Sequence, residues 1–239
     1  MQELTRTTKA QNIRSVIRYI QKFKNAVTVI YLDDEIIDSP MFSSHMRDIS
    51  LIHQAGLKVI LVPGSRKRID QILKQSNISW EYKNNCRITS ENAMPQIKMA
   101  AFDISNVIMT QLAANHITAT IGNWVRARAI GIIDGKDFGT AGEIDKLQID
   151  AIKATLDNGF IPIFPCIGWS SVGKPYNISS ITLAEQIAIN LKADKLFFVM
   201  NNDGINKETF EIPASIGLSE EGEIPAMNLK ELNEFLTLN

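Results

Sequence analysis

The 239 residues are 45% hydrophobic and 21% charged, enough apolar content to bury a full core, which places the chain in the ordinary soluble globular class. Lys+Arg 25 against Asp+Glu 26 leaves a net charge of −1, so no global field draws the chain to nucleic acid or to an anionic membrane. No apolar N-terminal stretch resembles a signal peptide or a membrane span. Cys86 and Cys166 stand alone without CxxC or CxxH spacing, and His45, His53 and His116 form no ligand cluster. A reducing cytoplasm is the simplest setting, and no metal site is expected.

In chain order, residues 9 to 24 carry Ile13, Val16, Ile17, Ile20 and Phe23 at helical spacing, one apolar stripe with a basic opposite side. That stripe can pack on its own domain or on another subunit. Residues 26 to 32 form an apolar strand, and Ser43 or Ser44 is expected to cap a helix that Gly56 ends. LKVILV (57 to 62) reads as a strand buried on both faces of a parallel sheet. A helix from Arg66 to Lys74 follows, then a polar stretch to Thr89, then a long helix over 90 to 115 with Pro95 in its early turns. HITATIG is a third strand, and the alternating, glycine-bearing run 124 to 147 reads as a hairpin excursion. Helix 148 to 158 ends before Gly159, strand FIPIFP follows, then helix 181 to 192 and strand KLFFVM. From 206 onward the pattern is polar and broken, with the beginning of a helix in MNLKELNEFLTLN. Strands alternating with helices predict an α/β fold with an open, mainly parallel sheet sandwiched by helices.

Residues 26 to 35, AVTVIYLDDE, run from a strand into a turn where Asp33 and Asp34 stand in the place that a phosphate-binding loop would fill with glycine. Bare backbone N–H groups cradle phosphate; two carboxylates oppose it. A second turn, Gly64-Ser65 followed by Arg66, Lys67 and Arg68, could receive a small anion at a helix start, or be a solvated basic turn.

Several stretches in order resemble the amino acid kinase superfamily, specifically acetylglutamate kinase and the kinase-like domain of N-acetylglutamate synthase: VTVIYLDDEII, KVILVPGSRKRID, NNCRIT, GNWVRARAIG with DGKDFGTAGEI, and NGFIPIFPCIG through KADKLFFVMNNDGI. The likeness covers residues of about 10 to 205 and implies the carbamate kinase-like architecture, with a C-terminal part that looks incomplete. Against the family's kinases, Tyr31 replaces the strand lysine, Asp33 and Asp34 replace the glycine pair, and Ile181 replaces the aspartate that organises the lysines. Phosphoryl transfer depends on positive charge and fixed donors around an anionic transition state. All three departures weaken that arrangement, so no catalytic residue is assigned.

The resemblance further implies a vestigial substrate or anion pocket made of Gly64, Ser65, Arg66, Arg87, Asn177 and Ser179. Arg87 matches the arginine that holds a substrate carboxylate, a task suited to a planar guanidinium, although a structural ion pair would also retain it. The synthase branch fits the departures best. In that branch the domain serves arginine feedback and oligomer assembly, while acetyl transfer from acetyl-CoA to glutamate occurs in an appended acetyltransferase domain that residues 1 to 239 do not contain. The resemblance therefore implies no cofactor for this chain and acetyl-CoA for that domain. It implies an amino-acid effector such as L-arginine, with Tyr19 and Lys195 as contacts, and a homo-oligomer built through an N-terminal helix in residues 1 to 25 ahead of a kinase-like domain in 26 to 239. For Tyr19, an interfacial aromatic at the edge of the stripe is the plain alternative. Two other functions stay open: a divergent acetylglutamate kinase using ATP, with Arg66 to Arg68 in place of the missing lysines, and a stand-alone amino-acid sensor or scaffold.

Overall fold

The computed structural model describes residues 2–83, 86–200 and 211–220 with Gly222, Ile224, Glu231 and Glu234, the side chains of residues 2–10, 12 and 19 excepted. It divides into two compact units, Met1–Met200 and Asn201–Asn239.

The first unit opens with α1 (Gln2–Phe23), which begins a turn and more before the expected residue 9. Four of its stripe residues, Ile13, Val16, Ile17 and Ile20, are exposed. Strand β1 (Val27–Leu32) leads into a single turn of helix, α2 (Asp34–Ile37), and then into α3 (Phe42–Gln54). The expected Ser43 or Ser44 cap is not used: the cap position is Met41, without a side-chain hydrogen bond. Burial of Phe42 in the first turn fixes this start instead. Gly56, at φ 99°, takes the left-handed conformation just past that helix, as Gly159 does at φ 76° past a later one.

Strand β2 (Lys58–Pro63) and α4 (Arg66–Gln75) follow the expected bounds closely. The polar stretch beyond them is not structureless, for β3 (Glu81–Lys83) and β4 (Cys86–Ile88) pair antiparallel within it. The long helix is a 3-10 turn (Glu91–Ala93) followed by α5 (Met94–Ala114), with Pro95 in the first turn, where its missing N–H costs nothing. Next come β5 (Ala119–Ile121), β6 (Val125–Ala129), the small ribbon of β7 (Ile132–Ile133) and β8 (Lys136–Asp137), β9 (Gly142–Leu147), α6 (Ile149–Asp157) and β10 (Ile161–Ile163). Two strands that the periodicity does not announce, β11 (Ile167–Trp169) and β12 (Pro175–Asn177), precede α7 (Ser180–Leu191) and β13 (Lys195–Val199).

The five anticipated strands form one sheet in the order β13-β1-β2-β10-β5, and all its pairings are parallel. Alternation along β1 and β2 sends Val29, Tyr31, Ile60 and Val62 to one face, where α6 and α7 contribute Ile152, Leu156, Leu183 and Ile187. Ile30, Leu32, Val59 and Leu61 go to the other, against Met46 of α3 and Ile104, Ile108 and Leu112 of α5. Both faces of β1 and β2 are thus covered, as central strands of a parallel sheet require, whereas Phe197 and Phe198 of the edge strand β13 stay exposed among the described residues. The excursion belongs to a second sheet, ordered β12-β11-β6-β9. Chain order reverses at β1, which has β2 on one side and β13 on the other. Open α/β sheets bind ligands at the carboxyl ends of strands flanking such a point.

In the second unit the Ser215 hydroxyl donates to Glu234, and Ile216 is buried. The helix expected in residues 227 to 239 lies outside the described residues apart from Glu231 and Glu234, which are helical.

Candidate functional site

At the carboxyl end of β1 the chain supplies its own anion. Tyr31 is buried, and its hydroxyl donates to Asp33 Oδ2 at 3.2 Å. Burial and then the Asp33 carboxylate hold that phenol well above its ordinary pKa, so it stays a neutral donor. Asp33 caps α2 by accepting from Glu35 N at 3.0 Å. Asp34, only 6% exposed, points the other way and accepts the backbone N–H of Lys67 in the first turn of α4. Burial raises the Asp34 pKa, while the amides of Lys67 and Arg68 pull it down.

The two turns are pressed together. Gly64 N donates to Leu32 O at 2.7 Å, and a Cβ on Gly64 would lie 2.8 Å from the Tyr31 hydroxyl and 3.1 Å from Asp34 N. Glycine is kept here by close approach. Lys67 is engaged by Glu35, whose hydrogen bond holds its ammonium above the usual range, and Arg68 reaches Asp38 at 3.4 Å. Ser65 is buried beside the Cys166 thiol.

Arg87, on β4, is buried and committed. Its guanidinium pairs with Asp70 of α4 and donates to Arg66 O at 3.2 Å. It lies 4.7 Å from the Tyr82 ring centroid and 5.8 Å from that of Trp80, while Arg66 covers Tyr82 at 4.1 Å. The Tyr82 hydroxyl donates to Asp70 at 3.2 Å. The cluster closes on itself, and sequence reasoning missed Asp70, Trp80 and Tyr82. The i, i+4 spacing of Arg66 and Asp70 on a helix was the available signal.

Asn177 is likewise occupied: its backbone N–H donates to Thr140 O at 2.9 Å, and its side-chain amide donates to Thr89 Oγ1 at 3.2 Å. Ser179 caps α7, accepting from Thr182 N at 3.3 Å. Ile181 sits in the first turn of α7, 42% exposed. The structure therefore brings Gly64, Ser65, Arg66 and Arg87 together around the start of α4, with Tyr31, Asp33 and Asp34 beside them. Each polar side chain there is tied to another polar or aromatic group of the protein, except that the Ser65 hydroxyl has only the Cys166 thiol beside it.

Lys195 lies at the opposite end of β1, in register with Thr28. Its ammonium is 4.4 Å from the Phe23 ring centroid, one helical turn beyond Tyr19, whose side chain lies outside the described residues. At about 3.3 Å per strand residue, the run from Thr28 to Leu32 separates the Lys195 end from the Asp33 turn by roughly 13 Å. Among the described residues no group of His, Cys, Asp and Glu could hold a metal ion. No helix among them is long and apolar enough to cross a membrane.

Residues 26–214 match the model of the amino acid kinase family. An amino-acid acetyltransferase of Haemophilus ducreyi is 34% identical over 203 residues, 83% of this chain and 46% of the relative. That of Mannheimia succiniciproducens is 31% identical over 235 residues, 96% and 52% respectively. The structure of N-acetylglutamate synthase from Neisseria gonorrhoeae complexed with coenzyme A and N-acetyl-glutamate superposes with a TM-score of 0.81 at 25% identity, over 96% of this chain and 52% of that one. The same synthase complexed with coenzyme A and L-arginine gives 0.75 at 24% identity, over 85% and 50%. The chain thus spans about half the length of the relatives it matches.

Proposed function

The chain belongs to the amino acid kinase family, and from that premise we propose that it is the kinase-like regulatory part of an N-acetylglutamate synthase. That enzyme transfers the acetyl group of acetyl-CoA to L-glutamate, the first step of arginine biosynthesis, and this part does not itself transfer phosphate. The observation that carries the proposal is the Asp34 carboxylate on the amide of Lys67. A helix N-terminus at this point is where a nucleotide phosphate would be received, and a side-chain carboxylate already fills it. A bound triphosphate would have to displace that carboxylate and would meet Asp33 beside it, which counts against the divergent-kinase reading.

The relatives support the synthase assignment by name, and the gonococcal synthase supports coenzyme A chemistry for the whole enzyme. The small molecule sensed by this part is an amino acid, with L-arginine the leading candidate because the gonococcal synthase has been captured with it. Assembly runs through α1, whose exposed Ile13, Val16, Ile17 and Ile20 form an apolar stripe on one face. The setting is cytoplasmic.

Two measurements test this reading. Protein isolated from its own cells should exceed the 26.7 kDa of this chain in mass and should acetylate glutamate from acetyl-CoA. A native mass equal to the chain, with no acetyl transfer, would move the assignment to a stand-alone sensor. ATP turnover dependent on N-acetylglutamate and abolished by Arg87→Ala would move it to a kinase.

A further inference from the structure

The second sheet carries an open cleft of about 620 Å³ lined by Arg126, Arg128, Asp145, Ser170, Ser171 and Tyr176, and it shares no residue with either place described above. Its construction is unusual in one respect. Along β6, Val125 and Ala127 go into the core, so Arg126 and Arg128 share the opposite face. Across from them, β9 pairs Lys146 with Arg126 and Ile144 with Ala127, leaving Asp145 as an extra residue with no cross-strand partner. That is a β-bulge, a device that re-aims a side chain and is found beside binding sites. Here it brings a carboxylate to the cleft beside two guanidiniums.

The charges divide unequally. Arg128 is paired with Glu143 at 2.7 Å. Among the described residues the side chains of Arg126 and Asp145 make no ion pair or hydrogen bond, with each other or with any other group. A cation and an anion thus line one cleft, more than 4 Å apart and unneutralised. The Ser170 hydroxyl accepts from Lys174 N at 3.0 Å and keeps its proton to donate. Tyr176 is held over Gly142, where a Cβ would lie 2.5 Å from its own.

We propose that this cleft binds a free α-amino acid as its zwitterion, the carboxylate on Arg126 and the ammonium on Asp145. The two arginines and the carboxylates of Glu143 and Asp145 sum to zero, so a simple anion would meet two carboxylates and a simple cation two guanidiniums. A neutral molecule with separated poles satisfies both unpaired groups at once. The volume falls within the range of small-molecule sites, about 300 to 1,000 Å³, and leaves space for a side chain. The inference goes beyond the synthase assignment and does not depend on it.

The test is a titration of the ¹⁵N-labelled full chain with each of the proteinogenic amino acids, up to about 20 mM, a range that captures the millimolar affinity of one bidentate contact and one ion pair. At least one should shift the amides of 125–129, 142–147 and 169–176. Arg126→Gln and Asp145→Asn, both at side chains with no partner among the described residues, should each weaken that binding about tenfold while leaving the remaining spectrum in place. The N-acetyl and the methyl ester derivatives of the binding amino acid, each lacking one pole, should lose affinity to the same extent. The proposal fails if no amino acid moves those amides, if shifts are confined to residues around Phe23 and Lys195 or around Arg87, if both variants bind like the parent, or if acetate binds as well as the amino acid.

Discussion

Asp34 accepts the amide hydrogen of Lys67 from a position 33 residues earlier in the chain, so the end of the first strand stoppers the helix that follows the second. A helix N-terminus is in general a place where a bound anion can be received. Here a carboxylate of the chain itself takes that place, and the amides at the helix N-terminus offset part of the cost of burying it.

Replacing Asp34 with alanine should remove a cap and open an anion site together. Loss of a capping carboxylate costs about 0.5–2 kcal/mol, so the melting temperature should fall. Sulfate added to the variant should then restore more stability than it gives the parent, since only the variant has unoccupied amides at α4. An equal sulfate response in both proteins would mean the α4 amides are not the receiving groups.

Asp34→Asn should be more stable relative to the parent near neutrality than in acid. Burial raises the folded-state pKa of Asp34 above its unfolded value. The native chain therefore holds the proton more tightly, and the contribution of Asp34 to stability is complete below the unfolded pKa and declines as pH rises through the raised folded value. Asparagine keeps an acceptor for Lys67 N without the charge. Denaturant unfolding across the carboxylate range should show the variant's relative stability climbing with pH and then levelling; a pH-independent difference would contradict it.

The Arg87–Asp70 pair should behave asymmetrically. Arg87 has a side chain 5% exposed, whereas that of Asp70 is 31% exposed. Asp70→Ala leaves a buried guanidinium with only Arg66 O and two aromatic rings, and should cost about 3 kcal/mol. The double variant Asp70→Leu, Arg87→Met removes both charges and should recover much of that loss. If Asp70→Ala were silent, Arg87 would be free to take a substrate carboxylate after all.

What the sequence disclosed follows the range of the interactions involved. The five parallel strands were legible because Val29 to Leu32 and Val59 to Val62 are apolar without a break, the signature of burial on both faces. Strands β11 and β12 were not, since Gly168 breaks the first and the second opens on Pro175 and ends on Asn177, so neither shows an unbroken apolar run. At the site, the two aspartates were recognisable as hostile to phosphate, but not that one caps α2 and the other α4, because the second partner is set by sheet register and not by local sequence. Arg87 stood open between a pocket arginine and an ion pair. Its partner, 17 residues away, was fixed only when α4 packed beside β4. The bulge at Asp145 left no trace in composition.

The two thiols should differ in reactivity. Cys166 is 3% exposed, and burial pushes its pKa up to about 11, against partial relief from the Ser65 hydroxyl and Arg87. At a pH of about 8 only around one thiol in a thousand would be thiolate, and reagent would still have to reach it. Cys86 is half-buried, with its pKa raised by burial and eased by Arg87. An aromatic disulfide reagent should therefore label Cys86 slowly in the native protein and Cys166 only on unfolding. Equal rates for both would mean that the core around α5 and β11 opens readily.

Ile13→Glu with Ile17→Glu should separate subunits without unfolding the sheet. These residues are 60% and 48% exposed, and Val16 and Ile20 beside them are 57% and 37% exposed, so within one chain the stripe is largely uncovered. Burying an isoleucine side chain is worth about 1.5–3 kcal/mol, and a helix stripe of this kind is a stronger source of association than the surrounding charged surface. Because neither side chain is needed to fill the chain's own core, the double variant should keep the parent's melting transition at low concentration while its mass by light scattering falls to the single chain's. A parent that is already monomeric at high concentration would remove the assembly role from α1, and a variant that loses its melting transition would mean the stripe packs on its own domain.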